Sequence, residues 1–287
     1  MTTIAFYGTC QLACVEAVVR AHLARPHGLE TFFVAAWTDL SDADRARIEA
    51  ADVFVGQRLR FGSSADGLSP RGRVLLVPQL DNAFLWPFAG EAHPRNTVYP
   101  FHPYGPYPAE FGDRFLNRQI AEGVDPDVAV ARYLALDVNA VVRLDRLREM
   151  SIEHQHHLDE ATGFRMTPFV EAYQAAPLFR TVYHFELDLL HELAAQVVPR
   201  IGLGAAEAAV LRRLARQNPM VDVWLPIHPA VAEHFGLSYA TAATRYRYFD
   251  EGSFTFAEYA RRYMTYAWNR PLHEGAHLAL AGRDAAA

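Results

Sequence analysis

The chain has 287 residues, a formal net charge of −6 and 51% hydrophobic residues, enough for one large domain or two small ones with a real core. The acidic balance argues against nucleic acid as a bulk partner, because such proteins usually carry a basic excess. All 27 basic side chains are arginine, so the absence of lysine excludes a lysine Schiff base and a lysine-bearing phosphate loop. Any phosphate must be gripped by Arg, backbone N–H groups or neutral donors. Cys10 and Cys14 are the only cysteines, too few for a disulfide scaffold. No apolar run reaches the roughly 18–20 residues of a membrane span, and no signal peptide is read at the N-terminus. The cytoplasm is the expected compartment.

The first part of the chain reads as alternating strands and helices. Ile4–Gly8 is a short apolar strand, and Gln11–Leu23 repeats apolar residues near the 3.6 period of a helix. Leu29–Trp37 has the length and composition of a second strand. Ser41–Ala50 opens on a Ser-Asp N-cap signal and reads as helix. Asp52–Gly56 and Arg73–Pro78 are the third and fourth strands. Continuous apolar strands alternating with helices predict a parallel sheet covered on both faces.

Residues 79–112 are rich in proline and aromatics, which forbids regular helix or central strand. A loop of this length is usually functional, and its aromatic content predicts that it packs. Beyond Asp113 the pattern is helical: Asp113–Glu122, Pro126–Leu136, Val138–Glu160, Thr167–Ala175, Phe185–Val198, Ala205–Gln217, Pro229–Phe235 and Thr255–Trp268. The expected architecture is α/β plus α: a small Rossmann-like parallel-sheet subdomain over residues 1–112, embedded in a mainly helical, cradle-like body over 113–287 and packed with it as one globular unit.

The most informative stretch is Gly8-Thr9-Cys10-Gln11, at the turn from the first strand to the first helix. Ligands of open α/β sheets bind outside the carboxyl ends of the strands. A helix N-terminus offers N–H groups and a positive dipole end, where a cysteine thiol can be activated. Gly8 allows a tight turn, Thr9 and the N–H groups could hold an anion or oxyanion, and Gln11 could orient a carbonyl or hydroxyl. Cys10 is either a nucleophile or a small group lining a thiol pocket; the plain alternative is a buried cysteine acting as a small hydrophobe. Cys14, on the helix itself, reads as structural.

Other candidates share that edge by topology. Gln57, Arg58 and Arg60 follow the third strand, and the arginines could grip phosphate. Gln79-Leu80-Asp81-Asn82 follows the fourth, with Gln79 and Asn82 as polar candidates. Phe101-His102-Pro103-Tyr104-Gly105 lies in the proline-rich loop, where His102 would suit a general base and Tyr104 a ligand contact. Glu153-His154-Gln155-His156-His157 has the composition of a metal tract but no closed zinc spacing, and reads as a solvated helix face. His184 and His228, near helix starts, read as structural more readily than as site residues. No dinucleotide fingerprint and no Gly-x-Ser-x-Gly elbow occurs, and no metal is expected.

The ordered set of these features resembles the WcbI-type polysaccharide-biosynthesis enzymes, named for a bacterial capsule enzyme. The resemblance rests on the opening strand with Gly8-Thr9-Cys10-Gln11, on the strand ending in Gln57 and on the strand ending at Val77-Pro78. It continues through Phe101-His102-Pro103, the helical middle around Leu144–Glu149, and Leu178-Phe179-Arg180-Thr181-Val182-Tyr183-His184. It spans roughly residues 3–235. Thr9 stands where the family usually has Asn, and Phe185 where Pro is expected. The resemblance implies a coenzyme A pocket and acetyl transfer from acetyl-coenzyme A to a sugar or glycan hydroxyl in capsule or related synthesis. In that reading Cys10 and His102 are catalytic, and Gly8, Thr9, Gln11, Gln57, Arg58, Gln79, Asn82, Tyr104 and His184 surround the coenzyme. The partners are a small acyl donor and a sugar or glycan acceptor, with a homo-oligomer compatible with the sequence. The rival readings are a Cys-dependent esterase-like hydrolase and a non-catalytic glycan binder using Phe84, Trp86, Phe101, Tyr104 and Tyr107 as a stacking platform.

Overall fold

A computed structural model describes residues 1–96, 107–220, 223–248 and 252–266 of the chain. Four strands form one parallel sheet: β1 (Thr2–Gly8), β2 (Leu29–Ala35), β3 (Val53–Arg58) and β4 (Arg73–Pro78), in the order β2-β1-β3-β4. The apolar runs explain the order. Ile4, Ala5, Phe6, Phe54 and Val55 of the two central strands are fully buried, while the edge strand β4 leaves Val74 exposed. Ala5, Phe32 and Phe54 pack with Ile48 of α2 (Asp42–Ala50). Ile4 and Phe6, which alternate with Ala5, point to the opposite face and are equally buried, so the sheet is covered on both sides.

Chain order and spatial order make β1 a switch point: β2 lies on one side of it and β3 on the other. The register aligns Tyr7 with Gly56 and Gln57 with Val77. The chain therefore leaves β1, β3 and β4 along one carboxyl edge, and a crevice opens outside such an edge where the strand order diverges.

Helix α1 (Cys10–Val19) buries Leu12, Val15, Val18 and Val19, as the periodicity predicts, and continues through a π-helical turn over Arg20–Ala24. Its Glu16 is also buried, paired with Arg20 at 3.1 Å and accepting a hydrogen bond from the Thr31 hydroxyl at 2.6 Å. The Ser41 N-cap of α2 forms as read from the sequence. The expected single helix 138–160 is instead two: α5 (Val138–Val142) and α6 (Leu144–Thr162). Arg143 between them takes a left-handed conformation, φ 52°, and the Asn139 side chain accepts the Leu144 N–H.

Contacts group the described residues into two compact units, each drawn from several stretches rather than from one side of residue 112. One unit comprises Met1–Asp81, Met150–Tyr173 and His184–Met220. It holds the sheet, α1, α2, most of α6, α7 (Thr167–Glu171), α8 (Leu187–Arg200) and α9 (Ala205–Leu214). Leu189, Leu190, Leu193, Ala194, Val197 and Val198 make the buried stripe of α8.

The remaining described residues form the second unit, with α3 (Arg114–Ala121), α4 (Pro126–Leu134), α5, α10 (Pro229–His234) and α11 (Phe256–Thr265). A short antiparallel pair, β5 (Tyr246–Arg247) and β6 (Ser253–Phe254), was not legible in the sequence, since two residues per strand display no period. The described part of the proline-rich segment packs as expected: Phe84, Trp86, Tyr107 and Phe111 are buried, and Trp86 Nε1–H donates to the Leu225 carbonyl at 3.0 Å. These rings belong to the core of the second unit, so Phe84, Trp86 and Tyr107 do not form the exposed stacking platform considered above.

Candidate functional site at the carboxyl edge of the sheet

Thr9 is the N-cap of α1, and Cys10 is the first helical residue. Gly8 leaves room for its neighbours: a Cβ there would lie 2.9 Å from Gln57 Oε1 and 2.9 Å from Leu12 Cδ1, so those side chains would have to give way. That close approach lets Gln57 reach the turn. The Thr9 N–H and hydroxyl both donate to Gln57 Oε1, at 2.9 and 2.8 Å. Gln57 Nε2–H donates to Gln11 Oε1 at 3.0 Å. Gln11 in turn pairs with the main chain after β4: its Oε1 accepts the Leu80 N–H at 3.0 Å and its Nε2–H donates to the Leu80 carbonyl at 2.6 Å. Behind them Ser64 ties two strands, accepting the Gln57 N–H at 2.7 Å and donating to the Tyr7 carbonyl at 2.7 Å.

Gln11 and Gln57 are both fully buried, and a buried carboxamide must be hydrogen-bonded to be tolerated. The network meets that demand and locks the ends of β1, β3 and β4 together. It also changes the roles read from the sequence. Thr9 and Gln11, expected as donors to a ligand, spend these groups on the protein itself. They position Cys10, which is half-buried and carries a thiol, as does the buried Cys14 farther along the helix.

The edge brings together Gly8, Thr9, Cys10, Gln11, Gln57, Arg58 and Gln79. Arg58 ends β3 half-buried, and its carbonyl accepts the Gln79 N–H at 2.9 Å. Among the described residues the Arg58 guanidinium has no ion-pair partner. His184 lies buried ahead of α8 in the same unit. Asn82 belongs to the second unit, where its N–H donates to the Val182 carbonyl at 3.0 Å and both polar atoms of its buried side chain are without a hydrogen bond. His102 and Tyr104 lie outside the described residues.

Sequence reasoning missed Ser64, whose role comes from a contact spanning 57 residues. It also absorbed His154 into a solvated face. Glu153, His156 and His157 are exposed as expected, but the Nε2 of His154 is buried without a partner. Burial holds the His154 imidazole below its ordinary 6.5, opposed by Asp81 and assisted by Arg60 and His157. The signal was present in the spacing: Ser151, Gln155 and Leu158 mark a buried stripe on α6, and His154 sits at its margin. No group of three or more metal-ligating side chains occurs among the described residues. His228 is structural: it caps α10 through Nδ1, and its Nε2 lies 2.9 Å from the Tyr133 carbonyl.

A parallel sheet with a switch point, a glycine turn and a thiol at the opening of the first helix defines an α/β protein whose carboxyl edge is the candidate ligand site. Residues 3–206 match the family model described as polysaccharide biosynthesis enzyme WcbI, and the chain belongs to that family. A solved structure of WcbI, described as a novel polysaccharide biosynthesis enzyme, aligns with a TM-score of 0.67 at 17% identity, covering 99% of this chain and 95% of that one. That structure is of native protein without the disulfide between coenzyme A and one of its cysteines. None of the curated proteins matches this chain.

Proposed function

We propose that the carboxyl edge of the sheet binds an acyl-coenzyme A and transfers its acetyl group to a sugar hydroxyl during polysaccharide synthesis in the cytoplasm. The observation that carries this reading is the placement of Cys10: a half-buried thiol at the first position of α1, at the switch point, held by the Thr9–Gln57–Gln11–Leu80 network. The WcbI relative is described as native protein without a disulfide bond between coenzyme A and one of its cysteines, which supports coenzyme A as the ligand class to test against Cys10. Arg58 supplies a cation for coenzyme phosphates in a chain that has no lysine.

Cys10 serves in one of two ways, accepting the acyl group as a thioester or shaping the pocket for direct transfer. Thr9 and Gln11 hold the turn, and His102 and Tyr104 are proposed to complete the site.

Calorimetry of coenzyme A and acetyl-coenzyme A on protein stripped of carried-over ligand tests the reading. Micromolar or tighter binding, weakened about tenfold in Arg58→Ala, is the expected outcome. Absence of binding to either compound overturns it. Full turnover in Cys10→Ala would remove the covalent version and leave direct transfer.

A further inference from the structure

Trp37 is 50% exposed, whereas Trp86 is 7% exposed, so a large ring stands half in water just past the end of β2. Hydrogen bonds place it beside the turn that carries the thiol. Gly8 pairs with Ala35 in the sheet register, and the next N–H, that of Ala36, donates to the Gly8 carbonyl at 2.9 Å. Trp37 follows directly. Its side of the sheet is fixed as well. The Thr31 hydroxyl donates to Glu16 of α1 at 2.6 Å, so the face of β2 bearing Thr31 and, two residues on, Phe33 is the face under α1. The Trp37 ring packs on Phe33, with centroids 5.8 Å apart. Indole and helix N-terminus therefore share one side of the sheet at its carboxyl edge. Thr38 and Asp39, both exposed, come next in the same turn, and the Thr38 hydroxyl donates to the Ala35 carbonyl at 3.3 Å.

We propose that Trp37 is the platform on which the acceptor sugar ring stacks, with the Asp39 carboxylate accepting hydrogen bonds from sugar hydroxyls. The assignment rests on the acyl-transfer reading. A pyranose presents a face of C–H groups and a rim of hydroxyls. The C–H face suits the negative face of an indole, and the rim suits a carboxylate next to that ring. The strand order keeps the two substrates apart. Arg58, assigned to the coenzyme phosphates, ends β3 on one side of β1, and Trp37 follows β2 on the other. Cys10 opens α1 after β1, between donor and acceptor.

The test follows the Trp37 indole N–H of the wild type by heteronuclear NMR, identified by its loss in Trp37→Phe. The protein is titrated with methyl β-glucopyranoside, methyl β-galactopyranoside and methyl α-mannopyranoside, and coenzyme A binding is measured by calorimetry on the same preparation. At least one glycoside is expected to shift this resonance at millimolar concentration. Affinity for that glycoside, read by saturation transfer, should fall about tenfold in Trp37→Ala and in Asp39→Asn, while Trp37→Ala binds coenzyme A as tightly as the wild type. If no glycoside moves the resonance, or if glycoside binding survives Trp37→Ala, the proposal is overturned. If Trp37→Ala instead loses about tenfold in coenzyme A affinity, the indole takes the adenine ring, which overturns the acceptor assignment and leaves the coenzyme reading standing. A wild type that binds a glycoside at Trp37 but no coenzyme A overturns the transfer reading, and the acceptor role with it.

Discussion

Gln11 and Gln57 meet side chain to side chain across the ends of β1 and β3, with the Gln57 carboxamide donating to the Gln11 oxygen at 3.0 Å. Each amide then holds a different part of the backbone: Gln57 the Thr9 N–H, Gln11 both main-chain groups of Leu80. One pair thus sets the spacing of three strand ends around Cys10.

Replacing Gln57 by leucine keeps the volume but leaves the Thr9 N–H and hydroxyl, with one acceptor site of Gln11, short of partners. Buried groups stranded in this way should cost about 2–4 kcal/mol of stability. Urea denaturation of the variant checks this, and a loss below 0.5 kcal/mol, on the order of a typical surface change, would show that the network is dispensable.

Gly8→Ala tests the close approach directly. Its new Cβ would meet Gln57 Oε1 and Leu12 Cδ1 at 2.9 Å, so the turn or the buried Gln57 and Leu12 side chains must shift, at about 1–3 kcal/mol. Displacement of the turn should weaken coenzyme A binding by more than the same variant weakens the fold. Calorimetry and denaturation on one protein preparation separate the two effects.

The two thiols differ in environment. Cys14 is buried in α1, whereas Cys10 is half-buried at the edge. Iodoacetamide on the native protein should label Cys10 and leave Cys14 untouched, and coenzyme A should protect Cys10. Peptide mass spectrometry reads both sites, and equal labelling would contradict the placement.

Stability of the second unit should respond to pH through two opposed groups. Burial pushes the Asp113 carboxyl from 3.8 up to about 6, against the hydrogen bond it accepts from Tyr133. The folded state then holds that proton more tightly than the unfolded chain, so this group costs stability as pH rises from about 4 to about 6. Burial lowers His93 from 6.5 to about 4, partly offset by its bond to the Tyr263 carbonyl, with Arg95 adding to the depression. Its contribution is intact above 6.5 and is lost as pH falls through that window to about 4. Asp113→Asn removes the first group and leaves the second. The variant should gain on the wild type as pH rises from 4 to 6, by on the order of 3 kcal/mol at full effect. Paired denaturation at pH 4, 5, 6 and 7 checks the sign, and a flat difference would refute it.

Much of the fold could be read locally. Arg73–Pro78 forms β4 at its predicted bounds, because an apolar run bounded by glycine and proline carries its own signal. The Ser41 cap, the turn at Gly8 and the helical pattern after Asp113 are also local. Arg143 is different: nothing in its neighbourhood announced a left-handed residue, and its conformation broke one expected helix into two.

The candidate edge divides along the same line. Sequence alone placed Cys10 on the turn between a buried strand and a helix and Gln57 and Gln79 near strand ends, since strand ends are properties of short segments, while the structure starts α1 at Cys10 itself and runs β3 on through Gln57 to Arg58. Only the tertiary structure decided that Gln57 bonds Thr9 across 48 residues and that Gln11 bonds Leu80 across 69. It likewise decided that His154 turns inward while its neighbours stay in water. Hydrogen bonding between distant buried groups depends on which strands lie side by side, and a parallel sheet sets that by long-range crossover, leaving no trace in local spacing.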